Sequence, residues 1–152
     1  MIQSAEFSDF LVKSKRSTYA AGARPSSPSR PGTVDLVYRE GPWLYIDAYL
    51  GGKRFIGEEA VWYADHPVWG MNYYGWMLVD PIPDGFSPFL KEALKRVSPA
   101  CPYRGPRSFE LGVFQYFCSW QGDLDRFAGE ETILIGGVAV YQLSFHGGSV
   151  VK

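Results

Sequence analysis

The fold class follows from residues 43–62, which read WLYIDAYLGGKRFIGEEAVW. Two runs rich in aromatic and aliphatic residues flank Gly51 and Gly52, and a glycine pair between such runs is typical of a tight β-hairpin. If the loop has two residues, Leu50 pairs with Lys53 and the register of both strands is fixed. Because side chains alternate between the two faces of a strand, this register predicts which side chains share a face.

The predicted register gives the hairpin one aliphatic face and one face that is both aromatic and charged. The aliphatic face suits packing against helices and carries Leu44, Ile46, Ala48, Leu50, Phe55 and Val61. The other face carries Trp43, Tyr45, Asp47, Tyr49, Arg54, Ile56, Glu58 and Trp62. If the next hairpin keeps the same parity, this second face also gains Trp69, Met71 and Tyr73. A slip by one residue would instead bring Val68, Asn72, Tyr74 and Trp76.

Outside the hairpin, the pattern predicts an α+β fold with a curved antiparallel β-sheet of about seven strands packed against two helices. Helices are expected over residues 5–20, capped by Ser4, and over residues 88–97, capped by Ser87. Strands are expected over residues 33–39, 43–50, 53–64, 68–78, 109–120, 124–135 and 138–146. The order is therefore α-ββββ-α-βββ, and its short connections favour antiparallel neighbours. We expect a single globular domain over residues 1–152, with no evident internal repeat.

Composition places the chain among globular proteins. Of its 152 residues, 46% are hydrophobic, and 15 basic side chains balance 16 acidic ones. A net charge of −1 argues against direct nucleic-acid binding. There is no apolar run of membrane-spanning length and no signal-peptide pattern, so a cytoplasmic location without membrane contact is expected. Two cysteines and two histidines without paired spacing predict no metal site, and no cofactor is expected.

The aromatic and charged face is the strongest functional signal. Aromatic rings supply contact area in small-molecule pockets, and a few convergent charges fix the orientation of the ligand. In this hypothesis Asp47 and Glu58 accept hydrogen bonds and Arg54 donates them. The same face would also suit a homodimer interface or a plain, half-exposed sheet surface. The candidate ligand-binding residues are Tyr45, Asp47, Tyr49, Arg54, Glu58, Trp62, Trp69, Tyr73 and His146.

Acid–base catalysis is the rival interpretation of these residues. Glu58 or Asp47 would act as a general base in the same cavity, and His146 would act as an acid. Glu58 and Glu59 are neighbours in a strand and point to opposite faces, so they cannot act together on one substrate. The sequence is compatible with ligand binding and with acid–base catalysis in this cavity.

Two other charged features are more simply read as structural. Glu59 is expected on the aliphatic face, either at the rim of the sheet or held by Lys13 or Arg16 of the first helix. Arg104 and Arg107 suit a bidentate contact with an anion, but a solvated loop is the simpler interpretation.

Short segments spread along nearly the whole chain carry a family resemblance. They are residues 15–20 (KRSTYA), 29–32 (SRPG), 45–51 (YIDAYLG), 55–60 (FIGEEA), 69–73 (WGMNY), 89–94 (FLKEAL), 103–106 (YRGP) and 145–148 (FHGG). In these segments the chain resembles an uncharacterised bacterial and archaeal domain, which occurs alone and C-terminal to Xre-type helix-turn-helix DNA-binding domains. The resemblance implies a sensor-type domain that binds an effector or a partner, and it carries over no catalytic residues.

Overall fold

The computed structural model describes residues 1–152 and contains one eight-stranded antiparallel sheet with two α-helices. The helices are α1 (Ala5–Ser17) and α2 (Phe86–Leu94), and a 3-10 turn (Tyr19–Ala21) follows α1. The strands are β1 (Val34–Glu40), β2 (Trp43–Gly51), β3 (Arg54–Tyr63), β4 (His66–Met77), β5 (Ser108–Leu111), β6 (Phe114–Asp123), β7 (Arg126–Ile135) and β8 (Val138–Ser149). Their order in the sheet is β1-β2-β3-β4-β8-β7-β6-β5. The predicted α+β class is confirmed.

The sheet has one strand more than the seven that the sequence predicts. Residues 109–120, expected as one strand, divide into β5 and β6 because the chain turns between Leu111 and Phe114, which pair with each other. Gly112 has a φ of +60° in this turn, a conformation that glycine adopts without strain.

Both helices cover the same face of the sheet. Ser4 caps α1 as predicted, since its Oγ accepts a hydrogen bond from the Phe7 N–H at 3.1 Å. The second helix begins at Phe86 with Gly85 at its N-cap, so the predicted cap at Ser87 is wrong. Phe10 stacks on Trp43, and Phe86 packs against Tyr141, which places α1 and α2 over neighbouring halves of the sheet. Neither helix is long and apolar enough to cross a membrane.

The predicted register of the β2–β3 hairpin is wrong. Gly51 pairs with Phe55 and Leu50 pairs with Ile56, so three residues separate the last paired positions instead of two. Gly51 has a φ of +98°, and the Gly52 N–H donates to the Arg54 carbonyl, which gives a wider turn. The changed loop length reverses the parity of the whole of β3 relative to β2.

The corrected register defines the two faces of the first four strands. The inner face, which the helices cover, carries Trp43, Tyr45, Asp47, Tyr49, Phe55, Gly57, Glu59, Val61, Trp69, Met71 and Tyr73. The outer face carries Leu44, Ile46, Ala48, Leu50, Arg54, Ile56, Glu58, Ala60 and Trp62. Tyr45 and Glu58 therefore project in opposite directions, contrary to the prediction. The aromatic residues of β2 share their face with Glu59 instead.

The fold consists of an α-ββββ unit that occurs twice, so the expectation of no internal repeat is also wrong. From either edge of the sheet, the four strands of one unit follow in chain order toward the centre. A pseudo-twofold axis therefore lies between β4 and β8. Residues 54–60 (RFIGEEA) correspond to residues 126–132 (RFAGEET), and residues 7–11 (FSDFL) correspond to residues 86–90 (FSPFL). Matching register shifts follow Val61 in β3 and Ile133 in β7.

Candidate ligand-binding site

A cavity of about 280 Å³ lies between the inner face of the sheet and the helical layer. Exposed residues at its edge include Gly51 and Gly52 from the β2–β3 hairpin and Ser87 from α2. A smaller recess of about 20 Å³ adjoins it, and Tyr19, Asp47 and Arg104 border both spaces. The cavity is lined by Tyr19, Asp47, Tyr49, Gly51, Gly52, Phe55, Tyr73, Met77, Ile82, Phe86, Ser87, Leu90, Arg104 and Tyr141.

Two glycines on the inner face position the aromatic rings of this cavity. A Cβ atom at Gly57 would overlap the ring of Tyr73, and one at Gly75 would overlap the ring of Phe55. Each ring therefore lies directly against the backbone of the neighbouring strand. The sequence achieves this close approach because both positions lack a side chain.

Asp47 is the carboxylate that faces the cavity. It is 5% exposed, and its Oδ1 accepts a hydrogen bond from the Tyr73 hydroxyl at 2.6 Å. Burial, followed by the negative charge of Glu59, raises the pKa of Asp47 to about 7, although Arg104 and Lys15 act in the opposite direction. Burial and the Asp47 charge hold the pKa of Tyr73 well above its usual range, so Tyr73 remains a donor.

Beside Asp47, a buried ion pair joins α1 to the sheet. Lys15 Nζ lies 2.5 Å from Glu59 Oε2 and also donates to the Tyr103 carbonyl at 2.7 Å. The other oxygen of Glu59 accepts from the Tyr45 hydroxyl at 2.5 Å. Burial lowers the pKa of Lys15, and the Glu59 charge opposes that change. Two donors, Lys15 and Tyr45, thus hold this carboxylate, which lies in the interior of the protein.

The expected partners of Glu59 are found elsewhere. Lys13 pairs with Glu40 at the surface, at a distance of 2.9 Å. Arg16 donates to backbone carbonyls of the segment that follows α2. Lys15 holds Glu59 instead, because it lies on the face of α1 that turns toward the sheet.

A second buried ion pair lies beside the cavity, which Arg104 helps to line. Arg104 binds both oxygens of Glu131 through Nε and Nη2, at 3.0 and 2.9 Å. The hydroxyls of Tyr116 and Tyr141 donate to the same carboxylate at 2.5 and 2.7 Å. The Arg104 guanidinium also lies 5.5 Å from the centre of the Tyr73 ring. The solvated-loop interpretation of Arg104 is therefore wrong, since its side chain is only 10% exposed.

The structure divides the nine sequence-predicted site residues between the two faces. On the inner face are Tyr45, Asp47, Tyr49, Trp69 and Tyr73; of these, Asp47, Tyr49 and Tyr73 line the cavity. Tyr45 borders the small recess, and Trp69 is fully buried in the core. The outer face carries Arg54, Glu58, Trp62 and His146.

The outer face does not contribute to the cavity, so Glu58 and His146 cannot act there with Asp47. The outer face exposes large apolar side chains, among them Ile56 at 54% and Tyr74 at 41%. The sequence predicts the homodimer through the aromatic and charged face, whose Trp43, Tyr45 and Asp47 are buried on the inner face; homodimer formation itself stays a prediction.

Sequence reasoning missed several residues of the cavity. The correct hairpin register would have placed Phe55 beside Tyr49, and the repeated RF-x-GEE motif would have marked Glu59 and Glu131 as equivalent. Arg104 and Tyr141 reach the cavity from the second half of the chain. No local pattern indicates that contribution.

The fold and the site together define a duplicated α+β domain with a partly open cavity, whose mostly apolar walls include one buried carboxylate. Residues 47–150 match the model of the family described as Domain of unknown function (DUF5680). The match extends over well more than half of the chain, and the chain belongs to this family. No curated protein and no solved structure matches the chain.

Proposed function

We propose that the protein is a small-molecule-binding domain of the effector-binding or sensor type, with its ligand in the cavity between the inner face and α2. The observation that carries this proposal is a cavity of about 280 Å³ that has mostly apolar walls and one buried carboxylate. Oδ2 of Asp47 accepts no hydrogen bond from the protein, and protein atoms do not enclose it fully. Pockets for small ligands have this composition, since apolar walls supply affinity and a few polar groups fix orientation.

The cost of burying Asp47 supports a functional role. A buried carboxylate with a single hydrogen bond reduces stability unless it gains a partner. The corresponding position in the second half of the fold is Cys118, so the framework itself does not require an acid there. We therefore assign Asp47 to ligand binding.

The resemblance to domains that follow Xre-type DNA-binding modules supports a sensor role, by association. We accordingly propose a bacterial or archaeal setting in the cytoplasm, in which the ligand is an effector. The near-neutral net charge supports a role without direct nucleic-acid contact.

A thermal-shift screen of metabolites tests the proposal. A ligand at about 100 times its Kd raises the Tm by roughly 5–10 °C for a domain of this size. Ser87→Trp fills the edge of the cavity from an exposed position on α2, and it should abolish the shift. Ser8→Trp is the matched control, because Ser8 occupies the equivalent position of α1 and does not line the cavity.

Two outcomes would contradict the proposal. One is a broad screen in which no compound shifts the Tm. The other is a compound that raises the Tm of Ser87→Trp as much as it raises the Tm of Ser8→Trp, since such a ligand would bind elsewhere on the protein.

A second candidate function, acid–base catalysis in the same cavity, is favoured by one observation. The pKa of Asp47, raised to about 7 by burial and by the Glu59 charge, suits a general base at neutral pH. Glu58 and His146 have no part in it, because both lie on the outer face. Under this alternative, Asp47→Asn abolishes turnover of a bound compound and Glu58→Gln preserves it. Turnover that survives Asp47→Asn would remove the proposed base.

A further inference from the structure

The charges around the cavity do not balance. Lys15 is paired with Glu59 at 2.5 Å, and Arg104 binds Glu131 through two hydrogen bonds. Asp47 is the remaining carboxylate, and its one hydrogen bond comes from a neutral donor, the Tyr73 hydroxyl. The interior around the cavity therefore holds one more carboxylate than it holds cations.

Neither buried cation donates a hydrogen bond to Asp47. Lys15 is held between Glu59 and the Tyr103 carbonyl, and Arg104 uses its bidentate edge on Glu131. Both cations lower the pKa of Asp47, yet burial and the Glu59 charge outweigh them and the net change is upward. An ionised Asp47 therefore lacks a compensating positive charge, and a positively charged ligand would supply it.

The walls around this carboxylate favour an organic cation over a metal ion. Tyr49, Phe55, Tyr73, Phe86 and Tyr141 present aromatic rings to the cavity, and aromatic faces attract cations. A hard metal ion needs several oxygen ligands, whereas the cavity offers a single carboxylate beside a phenol. No cluster of three or more His, Cys, Asp or Glu side chains suited to a metal occurs in the protein.

We propose that the cavity is selective for small organic cations, meaning protonated amines carried on an aromatic or other apolar body. The ammonium group donates to Oδ2 of Asp47, and the apolar body packs against the aromatic walls. The volume of about 280 Å³ lies just below the range for ligand pockets, roughly 300–1,000 Å³. A ligand with one ring matches this volume. The inference rests on the proposed function and names the ligand class for the same cavity.

Three probes that share one apolar body test the inference. They are phenethylamine, phenethyl alcohol and hydrocinnamate, which carry a positive, a neutral and a negative group on the same ring and linker. Their binding to the full chain is measured by calorimetry at about pH 8, where Asp47 is ionised and the amine is protonated. We expect the amine to bind at least about tenfold tighter than the alcohol, which corresponds to one charge-assisted contact.

Two variants distinguish a direct contact with Asp47 from a general effect of negative charge on amine affinity. Asp47→Asn should remove the tenfold preference for the amine and change the affinity for the alcohol by no more than about twofold. Glu58→Gln removes a carboxylate from the opposite face of the adjacent strand, and it should leave all three affinities unchanged. If Asp47→Asn does not fold, the wild-type pH dependence replaces it.

In the wild type, amine affinity should rise between about pH 6 and pH 8 as Asp47 loses its proton, while alcohol affinity should not. Asp47→Asn should remove this rise wherever that variant folds, which assigns it to Asp47 and not to its neighbours. Those neighbours, taken from every element packed around Asp47, are Lys15, Tyr19, Tyr45, Tyr49, Glu59, Tyr73, Arg104 and Tyr141.

The possible results distinguish the inference from the proposed function. If the alcohol or hydrocinnamate binds as tightly as the amine, the selectivity for cations is overturned and small-molecule binding stands. Tightest binding of hydrocinnamate would identify Arg104 as the recognising group instead. If none of the three probes binds, the inference is overturned, and the metabolite screen alone decides the proposed function.

Discussion

The two halves of the molecule share one buried framework. In each half a tyrosine of the second strand donates to a glutamate of the third, Tyr45 to Glu59 and Tyr116 to Glu131, both at 2.5 Å. Each glutamate also binds a buried cation. A feature that recurs at equivalent positions of both halves is explained by the fold, because both halves need it to join the strands to the segments above them.

The halves differ where the candidate site lies. Asp47 and Tyr73 of the first half correspond to Cys118 and Phe145 of the second, so the Asp47–Tyr73 hydrogen bond has no counterpart there. Burial raises the pKa of Cys118 to about 12, and this thiol stays neutral. The comparison therefore separates the recurring Tyr–Glu framework from the single Asp47–Tyr73 pair. The pair is the better candidate for function.

The cation that holds each glutamate also differs in origin. Lys15 comes from α1, but the equivalent position of α2 is Leu94, and Arg104 from the following loop takes its place. Glu131 accepts four hydrogen bonds, from Arg104, Tyr116 and Tyr141, while Glu59 accepts two, from Lys15 and Tyr45. We expect the second half to depend more strongly on its buried ion pair.

The largest predicted effect is the loss of stability in Glu131→Gln. Removing this charge leaves Arg104 buried without a counter-ion, and arginine cannot lose its proton, so the free energy of unfolding should fall by about 3–5 kcal/mol. Glu59→Gln should cost less, because burial already lowers the pKa of Lys15 and a lysine can become neutral. Urea unfolding of both variants measures the difference. An equal or larger loss for Glu59→Gln would break the comparison between the halves.

The second prediction is a pH dependence of the free energy of unfolding that comes from Asp47, in the first half alone. On folding, the pKa of Asp47 rises from 3.8 to about 7, so the folded state retains a proton that the unfolded chain releases. Stability relative to Asp47→Asn should therefore fall by about 3–4 kcal/mol as pH rises from about 4 to 7, and then stay level. Urea unfolding across this range measures it, with Cys118→Ser as a control that keeps the wild-type slope. A constant difference between wild type and Asp47→Asn would contradict the raised pKa.

Equivalent glycines give the third prediction, with a smaller effect. A Cβ at Gly57 would overlap the Tyr73 ring, whereas one at Gly129 would overlap both the Phe145 ring and the Ser119 backbone carbonyl. A ring can shift more easily than a paired strand, so Gly129→Ala should cost about 2–3 kcal/mol and Gly57→Ala about 1–2 kcal/mol. Thermal and urea unfolding of the two variants test this order. The reverse order would mean that the ring of Tyr73 is held more rigidly than the backbone of β6.

The sequence predicts most of the fold because its periodicity and turn residues are local signals. Apolar spacing marks α1, and glycines mark the ends of strands. The register of the first hairpin is not a local property in the same way. Three residues separate Gly51 from Phe55 and four separate Gly122 from Phe127, although an Arg-Phe pair follows both turns. If the loop gains or loses one residue while β2 stays in place, every residue of β3 moves to the opposite face. The glycine pair at 51–52 allows either loop length.

The candidate site was predicted only in part for a related reason. Asp47, Tyr49 and Tyr73 lie on the predicted aromatic face and line the cavity. Phe55 was assigned to the wrong face by the register, and Arg104 depends on a partner 27 residues away in sequence. Contacts between the halves follow from the pseudo-twofold packing, which the similarity of residues 54–60 to residues 126–132 would have indicated.

The smallest predicted effects belong to the outward members of the repeated glutamate pairs. Glu58 and Glu130 are exposed on the outer face, while Glu59 and Glu131 are buried on the inner one. Glu58→Gln and Glu130→Gln should each change the free energy of unfolding by less than about 0.5 kcal/mol, because neither removes a buried contact. Urea unfolding beside Glu59→Gln and Glu131→Gln then tests the register directly.

If the two-residue hairpin were correct, Glu58 would share a face with Tyr45 and Asp47. Its substitution would then lower the free energy of unfolding as much as the substitution of a buried acid does. If the free energy of unfolding fell by more than about 1 kcal/mol in Glu58→Gln and changed little in Glu59→Gln, the two-residue register would be correct. Asp47 and Glu59 would then lie on opposite faces of the sheet.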